Sequence, residues 1–496
     1  MTAQSNHRAI LRASFLTGGA QIVSLCLGLV RNKVVALCLG TAGVGLSAML
    51  NQVFGIMQAA STLGIPPAGV RAVALSKDDN ESMILSVKAV RYACVSLAVV
   101  VAVVFAAASP LISQILFKDY QHSWDLLVLV VGLVFGQMAA AEQTILRGVG
   151  KVGGLAKVNV SASAVGAVLT VPLVYFIGQR GIAPAILVSS VALFWFSRRA
   201  SRMVPMAVTA HEPTEVTRKA WSLAKVGATF FGLTIIGMLL SLGLSVLVRQ
   251  HAGIEGNGIY QAAVALTVTI ASFVLSAMGQ DFYPKIVHLL RSQRHEEAAV
   301  YCANQIEMGL LMAFPILAAV SFFSHELIAL AYSRDFHAAD PLVGMLAASC
   351  WARICYWPHM LCMLAEANAT KILSAELGFA LCTAIVAWLA LPACGIAGVA
   401  VAYAACFLVY SLVVSLVVRR MTGRLPIAGI WQLYLIGLVC IVGGFYLHVT
   451  LRIVLLAVLG VYVVRRLTTN LGPTHRLSKL VQSIPLLRCL APASGS

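Results

Sequence analysis

Residues 29–52 read LVRNKVVALCLGTAGVGLSAMLNQ, an apolar stretch that carries Arg31 and Lys33 inside it and a cluster of glycines at its middle. An α-helix needs roughly 20 apolar residues to cross the hydrocarbon core of a bilayer. The apolar pattern here begins near Ala13, pauses at TAGVG, and resumes toward a break at Leu63 and Gly64. The stretch therefore predicts the end of one membrane helix and the start of the next, with two cations in the first.

The rest of the 496-residue chain repeats this alternation. It is 60% hydrophobic and 11% charged, with a mean hydropathy of +0.90, far from the composition of a water-soluble domain. Membrane barrel strands would be about 10 residues long and alternate apolar with polar, which these runs do not. The reading is an all-α polytopic membrane protein. Spans fall near 14–39, 45–68, 89–108, 124–145, 158–177 and 182–197, then 226–248, 258–280, 303–323, 341–364, 372–391 and 395–418, with two more at 428–448 and 451–464. The polar, basic start MTAQSNHRAILRASF lacks a cleavage signature, so the first helix is expected to stay in the membrane.

The net charge of +17 is spread over loops rather than gathered in one module, which excludes a nucleic-acid-binding domain. With a cytoplasmic N-terminus, the loops opposite the cytoplasm hold only Lys118, Arg180, Arg249, Arg334 and Arg452, and nearly every other cation falls on the cytoplasmic side. The positive-inside rule then predicts both termini cytoplasmic. Three cations fit neither side: Arg31, Lys33 and Arg353. The twelve cysteines are scattered singly, without metal-ligand spacing, and read as small hydrophobes; no metal and no cofactor is expected.

The first and second sets of six spans resemble each other. GVGLSAMLNQ aligns with GNGIYQAAVA, pairing Gly45 with Gly258; FKDYQHSWDLL aligns with YSRDFHAADPL, pairing Asp119 with Asp335; RGIAPAILV aligns with CGIAGVAVA, pairing Gly181 with Gly395. The order is kept and the separations agree to within a few residues. A repeat of six helices enters the membrane twice from the same side, giving two parallel bundles. The expected organisation is an N-terminal bundle over 1–197, a cytoplasmic linker over 198–225, a C-terminal bundle over 226–420, and two further helices with a basic surface tail over 421–496.

An ionisable group deep in lipid costs about 2.5–3.5 kcal/mol on insertion scales, so such groups turn toward a polar interior. Most of the 18 acids lie in loops, and Glu142, Glu307 and Glu376 lie near cytoplasmic helix ends, which leaves the deep cations largely unmatched. Unmatched cations in low dielectric attract an anion, and the planar fork of Arg suits phosphate. Arg31 and Lys33 stand about 200° apart on a helix, so if one faces a lumen the other faces a neighbouring helix or the headgroups; the alternative is that they snorkel and anchor the helix end at the interface. Asn51, Gln52 and Gln58 in the second span, and Gln261, Thr267, Ser272 and Ser276 in the eighth, offer hydrogen bonds to sugar hydroxyls or between helices. Ion coupling through Glu142, Glu307 or Glu376 is the candidate driving force. No nucleotide-binding or hydrolase motif occurs, and the loops opposite the cytoplasm are too short for the acceptor domain of a membrane enzyme.

The stretch LVRNKVVALCLGTAGVGLSAMLNQVFGIMQAASTLGIPPAGVRAVA resembles the start of the Wzx-type O-antigen translocases, as does ARICYW with Arg353 and Trp357. That superfamily also includes the MATE drug exporters and the lipid II flippases. The resemblance implies two six-helix bundles and translocation of a polyprenyl-pyrophosphate-linked oligosaccharide to the periplasmic leaflet, by alternating access through a cationic lumen. It implies surrounding membrane lipid, a polysaccharide polymerase and a chain-length regulator as partners, and no nucleic acid. The competing readings are a multidrug exporter of the same superfamily and a membrane enzyme acting on polyprenyl-linked glycans.

Overall fold

The computed structural model describes residues 3–76, 79–202, 212–365, 369–422, 431–444 and 447–471. The middle of the expected linker and the basic surface tail lie outside these. The described chain is helical throughout: α1 Ala3–Thr62, α2 Ile65–Leu75, α3 Asn80–Phe117, α4 Ser123–Val149, α5 Val152–Ile177, α6 Ile182–Ser201, α7 Pro213–Arg291, α8 His295–Phe322, α9 Ser324–Ala331, α10 Asp340–Ala365, α11 Ala369–Cys394, α12 Ala397–Thr422, α13 Trp431–Gly443 and α14 Val449–Leu471. Short 3₁₀ turns, Gly178–Gly181 and Arg334–Ala339, lead into α6 and α10. Among the described residues, eight helical spans are long and apolar enough to cross a membrane, and two of them contain a kink.

Those kinks mark the repeat. α1 bends at Gly40, with φ 63° and ψ −159°, and α7 bends at Gly253, with φ 75° and ψ −177°. Both conformations are open to glycine and strained for any residue with a Cβ. The expected first and second spans are thus the two arms of one helix, and the seventh and eighth are the two arms of another. Gly64, at φ 69°, ends the second arm where the sequence predicted a break.

The chain divides into two compact units, residues 1–258 with 331–333, and residues 259–330 with 334–496. Within the first unit, α1 and α7 meet backbone to backbone. A Cβ on Gly45 would stand 2.2 Å from the Ile254 carbonyl oxygen, and a Cβ on Gly258 would stand 2.0 Å from that of Thr41. The contact is reciprocal, since Thr41 and Gly45 occupy the repeat positions of Ile254 and Gly258. Asn257, fully buried, donates its side-chain amide to the Gly45 carbonyl at 3.2 Å. Small residues let helix backbones approach closely where lipid offers no hydrophobic drive. On α3 the same logic runs along one helix: Ala98 and Ala102 are buried, while Val99, Val100, Val103 and Val104 are exposed as a lipid-facing stripe.

The second unit has the larger apolar core, drawn from α7, α8, α10, α12, α13 and α14. α10 falls outside the eight spans because Arg353, Pro358 and His359 lower its mean hydropathy, and its Trp351, Ile354, Cys355 and Tyr356 are buried in the interior. The last two helices belong to this core. Trp351 Nε1 donates to the Tyr434 carbonyl at 2.9 Å, Ser321 Oγ donates to the Ile441 carbonyl at 2.8 Å, and Gly437 lies flat on the Trp351 ring. Arg452 donates to the Phe322 carbonyl at the end of α8, and in the first unit Arg249 donates to the Leu116 and Phe117 carbonyls at the end of α3. In each unit a cation thus closes the exposed carbonyls of a long helix, at the pole where its dipole is negative.

Gly45→Ala is expected to lower the thermal unfolding temperature of the detergent-solubilised protein and cost about 3 kcal/mol, the upper range for overpacking against rigid backbone. Gly243→Ala, which meets nothing within 4 Å, is the matched control and should leave the melt unchanged.

Candidate functional site

Arg31 lies on the first arm of α1, two turns beyond Ser24 and one beyond Gly28. Residues 24, 27, 28 and 31 share one helix face. That face forms a wall of a cavity of about 250 Å³, closed by Ala162, Ser163, Gly166 and Ala167 of α5 and by Ser189 and Leu193 of α6. On its other side Arg31 borders a narrower cleft with Ser47 and Asn51 of the second arm and Thr170 of α5. All these residues lie in the first unit.

The donors around Arg31 are unevenly occupied. Thr170 gives its hydroxyl proton to the Gly166 carbonyl at 2.7 Å, and Ser189 gives its own to the Ala185 carbonyl at 2.8 Å. Asn51 donates to the Ser47 carbonyl at 2.7 Å, leaving its amide oxygen as an acceptor. The Ser24 hydroxyl is buried and, among the described residues, has no hydrogen-bond partner. Among the described residues Arg31 has no carboxylate partner. The cavity thus presents a fixed guanidinium and a free hydroxyl in a low-dielectric setting, a pairing that suits a small oxyanion such as phosphate.

The three residues at the head of the opening stretch diverge. Arg31 faces the cavity, Asn32 hydrogen-bonds Tyr332, and Lys33 lines neither Arg31 cavity. The second-arm amides diverge as well. Asn51 borders Arg31, whereas Gln52 Nε2 donates to Ser241 Oγ of α7 at 3.2 Å. Gln58 packs against α4, where Gly136 leaves room for its amide and Gln137 Nε2 donates to its carbonyl at 3.0 Å. On the second arm of α7, Thr267 gives its hydroxyl to the Ala263 carbonyl.

Arg353 occupies a different setting in the second unit, midway along α10. It hydrogen-bonds the Tyr356 hydroxyl and lies within electrostatic range of Glu376 on α11, whose Oε1 accepts a 3.0 Å hydrogen bond from Tyr410 of α12. The expectation of deep cations without acids does not hold here. Glu376 is two turns inside α11, and the long Arg353 side chain spans the remaining depth, a reach that counting from helix ends misses.

The other two candidate coupling acids are also paired. Glu142 of α4, only 3% exposed, takes a two-pronged contact from Arg91 of α3, 3.0 Å from Nε and 2.9 Å from Nη2, and a third bond of 2.7 Å from Arg198 of α6. One carboxylate thus ties three helices of the first unit. Glu307 of α8 accepts from Arg466 Nε of α14 at 2.9 Å. Sequence reading missed Ser24, Ser163, Thr170 and Ser189. Their signal is faint: Ser163 and Thr170 share a helix face within NVSASAVGAVLTV, and Ser24 and Ser189 are single small polar residues in the apolar runs of α1 and α6.

These features define a polytopic transporter in which, among the described residues, Arg31 borders a membrane cavity without an acid beside it. The chain matches the polysaccharide biosynthesis protein family over residues 10–290, more than half its length, and belongs to that family. It is 24% identical over 429 residues to the lipid III flippase of Escherichia coli (strain K12), covering 81% of this chain and 96% of the relative. In fold it resembles the lipid II flippase MurJ in an inward closed conformation, with a TM-score of 0.66 at 12% identity, covering 93% of this chain and 99% of that one. It resembles equally an inward-facing MATE family multidrug transporter of the MOP superfamily, with a TM-score of 0.66 at 16% identity over 81% and 95% of the two chains. These relatives are flippases and transporters; none is an enzyme.

Glu142→Ala strands Arg91 and Arg198 without their shared acid and is expected to destabilise the protein by about 3 kcal/mol, as for breaking one side of a largely buried ion pair. Glu142→Gln, which keeps the hydrogen-bond acceptor, should cost clearly less in the same thermal melt.

Proposed function

We propose that the protein is a flippase of the bacterial inner membrane that moves a polyprenyl-pyrophosphate-linked oligosaccharide, an O-antigen or other surface-polysaccharide repeat unit, from the cytoplasmic to the periplasmic leaflet. Family membership and the lipid III flippase relative support a lipid-linked glycan as cargo. The observation that carries the reading is Arg31: a guanidinium inside a membrane-spanning helix, bordering a polar cavity and without an acid among the described residues.

The cavity has the dimensions of a diphosphate rather than of an oligosaccharide. Arg31 holds the pyrophosphate through two oxygens, and the Ser24 hydroxyl donates a further bond. The polyprenyl chain stays in lipid, because burying its many CH₂ groups in water-filled protein would forfeit about 0.8 kcal/mol for each. In this reading Asn51, beside Arg31, bonds sugar hydroxyls as the headgroup passes, and Gln52, Gln58 and Lys33 of the same unit join it by exchanging their present contacts. Alternating access carries the headgroup across. In this reading both termini are cytoplasmic, which the distribution of loop cations supports.

Arg353 serves the same transport cycle from the second unit, where Tyr356 and Glu376 hold it. Glu376 is the coupling acid this reading favours, since its partners are a tyrosine and one arginine. Glu142 is tied by two arginines. A multidrug exporter of organic cations would need an open carboxylate in place of Arg31, so the charge at the cavity disfavours that alternative. A polymerase and a chain-length regulator consume the delivered repeat unit on the far side.

In proteoliposomes containing labelled polyprenyl-pyrophosphate oligosaccharide, the wild-type protein is expected to move label between leaflets without changing its covalent structure. Arg31→Ala should lower the rate at least about tenfold, the equivalent of one charge-assisted phosphate contact, with normal membrane insertion. Arg31→Lys should recover part of it. Unchanged transport by Arg31→Ala would remove the assigned role.

A further inference from the structure

The second unit carries a cluster of donors at the end of α8 remote from the Arg291–Arg294 loop. His325 comes from the first turn of α9, His337 from the 3₁₀ turn Arg334–Ala339, and Asp340 from the head of α10. His325 Nδ1 lies 2.8 Å from Asp340 Oδ2, and His337 Nδ1 lies 3.8 Å from the same oxygen. The two imidazoles are nearly parallel, with centroids 4.1 Å apart and 12° between their planes. One donor atom from each residue falls within 4.8 Å of the others. His337 Nδ1 and Asp340 Oδ1 are both buried and have no hydrogen-bond partner among the described residues.

The first repeat supplies an internal comparison. It has the same His-x-x-Asp at the head of α4, where His122 Nδ1 stands 2.8 Å from Asp125 Oδ2. Its ring rests on Phe117, with centroids 4.4 Å apart. That imidazole stands between two carboxylates, with Asp119 Oδ2 4.0 Å from its Nε2, and has a hydrocarbon ring beside it in place of a second imidazole. In the second repeat a second imidazole takes the place of the hydrocarbon ring. His325 then occupies the carboxylate oxygen and His337 is displaced from it. A helix-capping pair does not require this third group, and two orphaned polar atoms are its cost.

Two imidazole nitrogens and a carboxylate are the donor set of a borderline-soft divalent ion, and three protein ligands leave a fourth position for water or another donor. The geometry points to a divalent transition-metal site of the zinc class held by His325, His337 and Asp340. Donors around a tetrahedral zinc with bonds of about 2.0 Å stand about 3.3 Å apart, so one observed separation opens and the other closes by about half an ångström. His325, whose side chain is 60% exposed, is free to turn its ring so that its nitrogen lone pair meets the ion in the ring plane. Because the three ligands come from three successive elements, a bound ion ties α9, the 3₁₀ turn and α10 together. The site draws on none of the residues assigned to the headgroup.

The test uses the full-length chain in detergent, carrying no histidine tag and stripped with a chelator. Zn²⁺ is titrated by calorimetry and Co²⁺ by its visible absorption. One equivalent per chain is expected, with Co²⁺ bands of a four- or five-coordinate centre. His325→Ala, an exposed position, should weaken binding roughly a hundredfold or more through loss of one ligand, as should Asp340→Asn. His122→Ala, in the first repeat, should leave it unchanged. Absence of stoichiometric binding by the wild type, or undiminished binding by His325→Ala with a wild-type melt, would overturn the assignment. Since the readout is ion binding, it stands or falls separately from glycan transport.

Discussion

The backbone contact between α1 and α7 at Gly45 and Gly258 is the constraint on which the first unit depends. Inside lipid there is no hydrophobic gain from pressing two apolar helices together, so close approach and backbone-level van der Waals contact must hold them. Glycine at both positions lets each helix meet the other's carbonyls, and Asn257 adds a buried bond to the Gly45 oxygen. The kinks at Gly40 and Gly253 stand a few residues before this contact in both helices. Arg31 lies beyond the kink of α1, on the arm that borders α5 and α6. The direction that arm takes, and so the wall that Arg31 joins, follows from a φ that only glycine adopts without strain.

Charge inside this protein is sorted by partner. Where helices need tying, acids and arginines meet, as at Glu142 with Arg91 and Arg198 and at Glu307 with Arg466. Where carbonyls at a helix end need closing, Arg249 and Arg452 serve in the first and second units. Arg353 is held by tyrosine and Glu376. Arg31 is different in kind, because its surroundings are hydroxyls, small residues and space. A cation left without an acid in low dielectric costs free energy that an anion beside it would offset.

The two additional C-terminal helices are part of the second core rather than an appendage. Gly437 and Gly444 fit against Trp351 and Phe322, and Arg452 closes the end of α8 as Arg249 closes the end of α3. The repeat is therefore imitated even where the sequence of α13 and α14 shows no resemblance to α7. A similar local requirement, uncapped carbonyls at the end of a long helix, is met in both units by an arginine from a later helix.

Composition and hydropathy alone determined the class of this protein, since 60% hydrophobic residues in spans of membrane length admit only a helical polytopic fold. The repeat was legible at Gly45 and Gly258, where close backbone approach permits almost no other residue, and the break at Gly64 was legible because of its left-handed backbone. Arg31, Lys33 and Arg353 stood out because the loops could not account for them. What the sequence left open was direction and partnership. It placed Arg31 and Lys33 on opposite sides of one helix without saying which side held the cavity, and it read Arg353 as unmatched because Glu376 lies elsewhere in the chain. Only the packing of α1 against α5 and α6, and of α10 against α11 and α12, decided these points. A side chain's environment in the membrane is made by residues far apart in sequence, and neither periodicity nor charge counting carries that distance information.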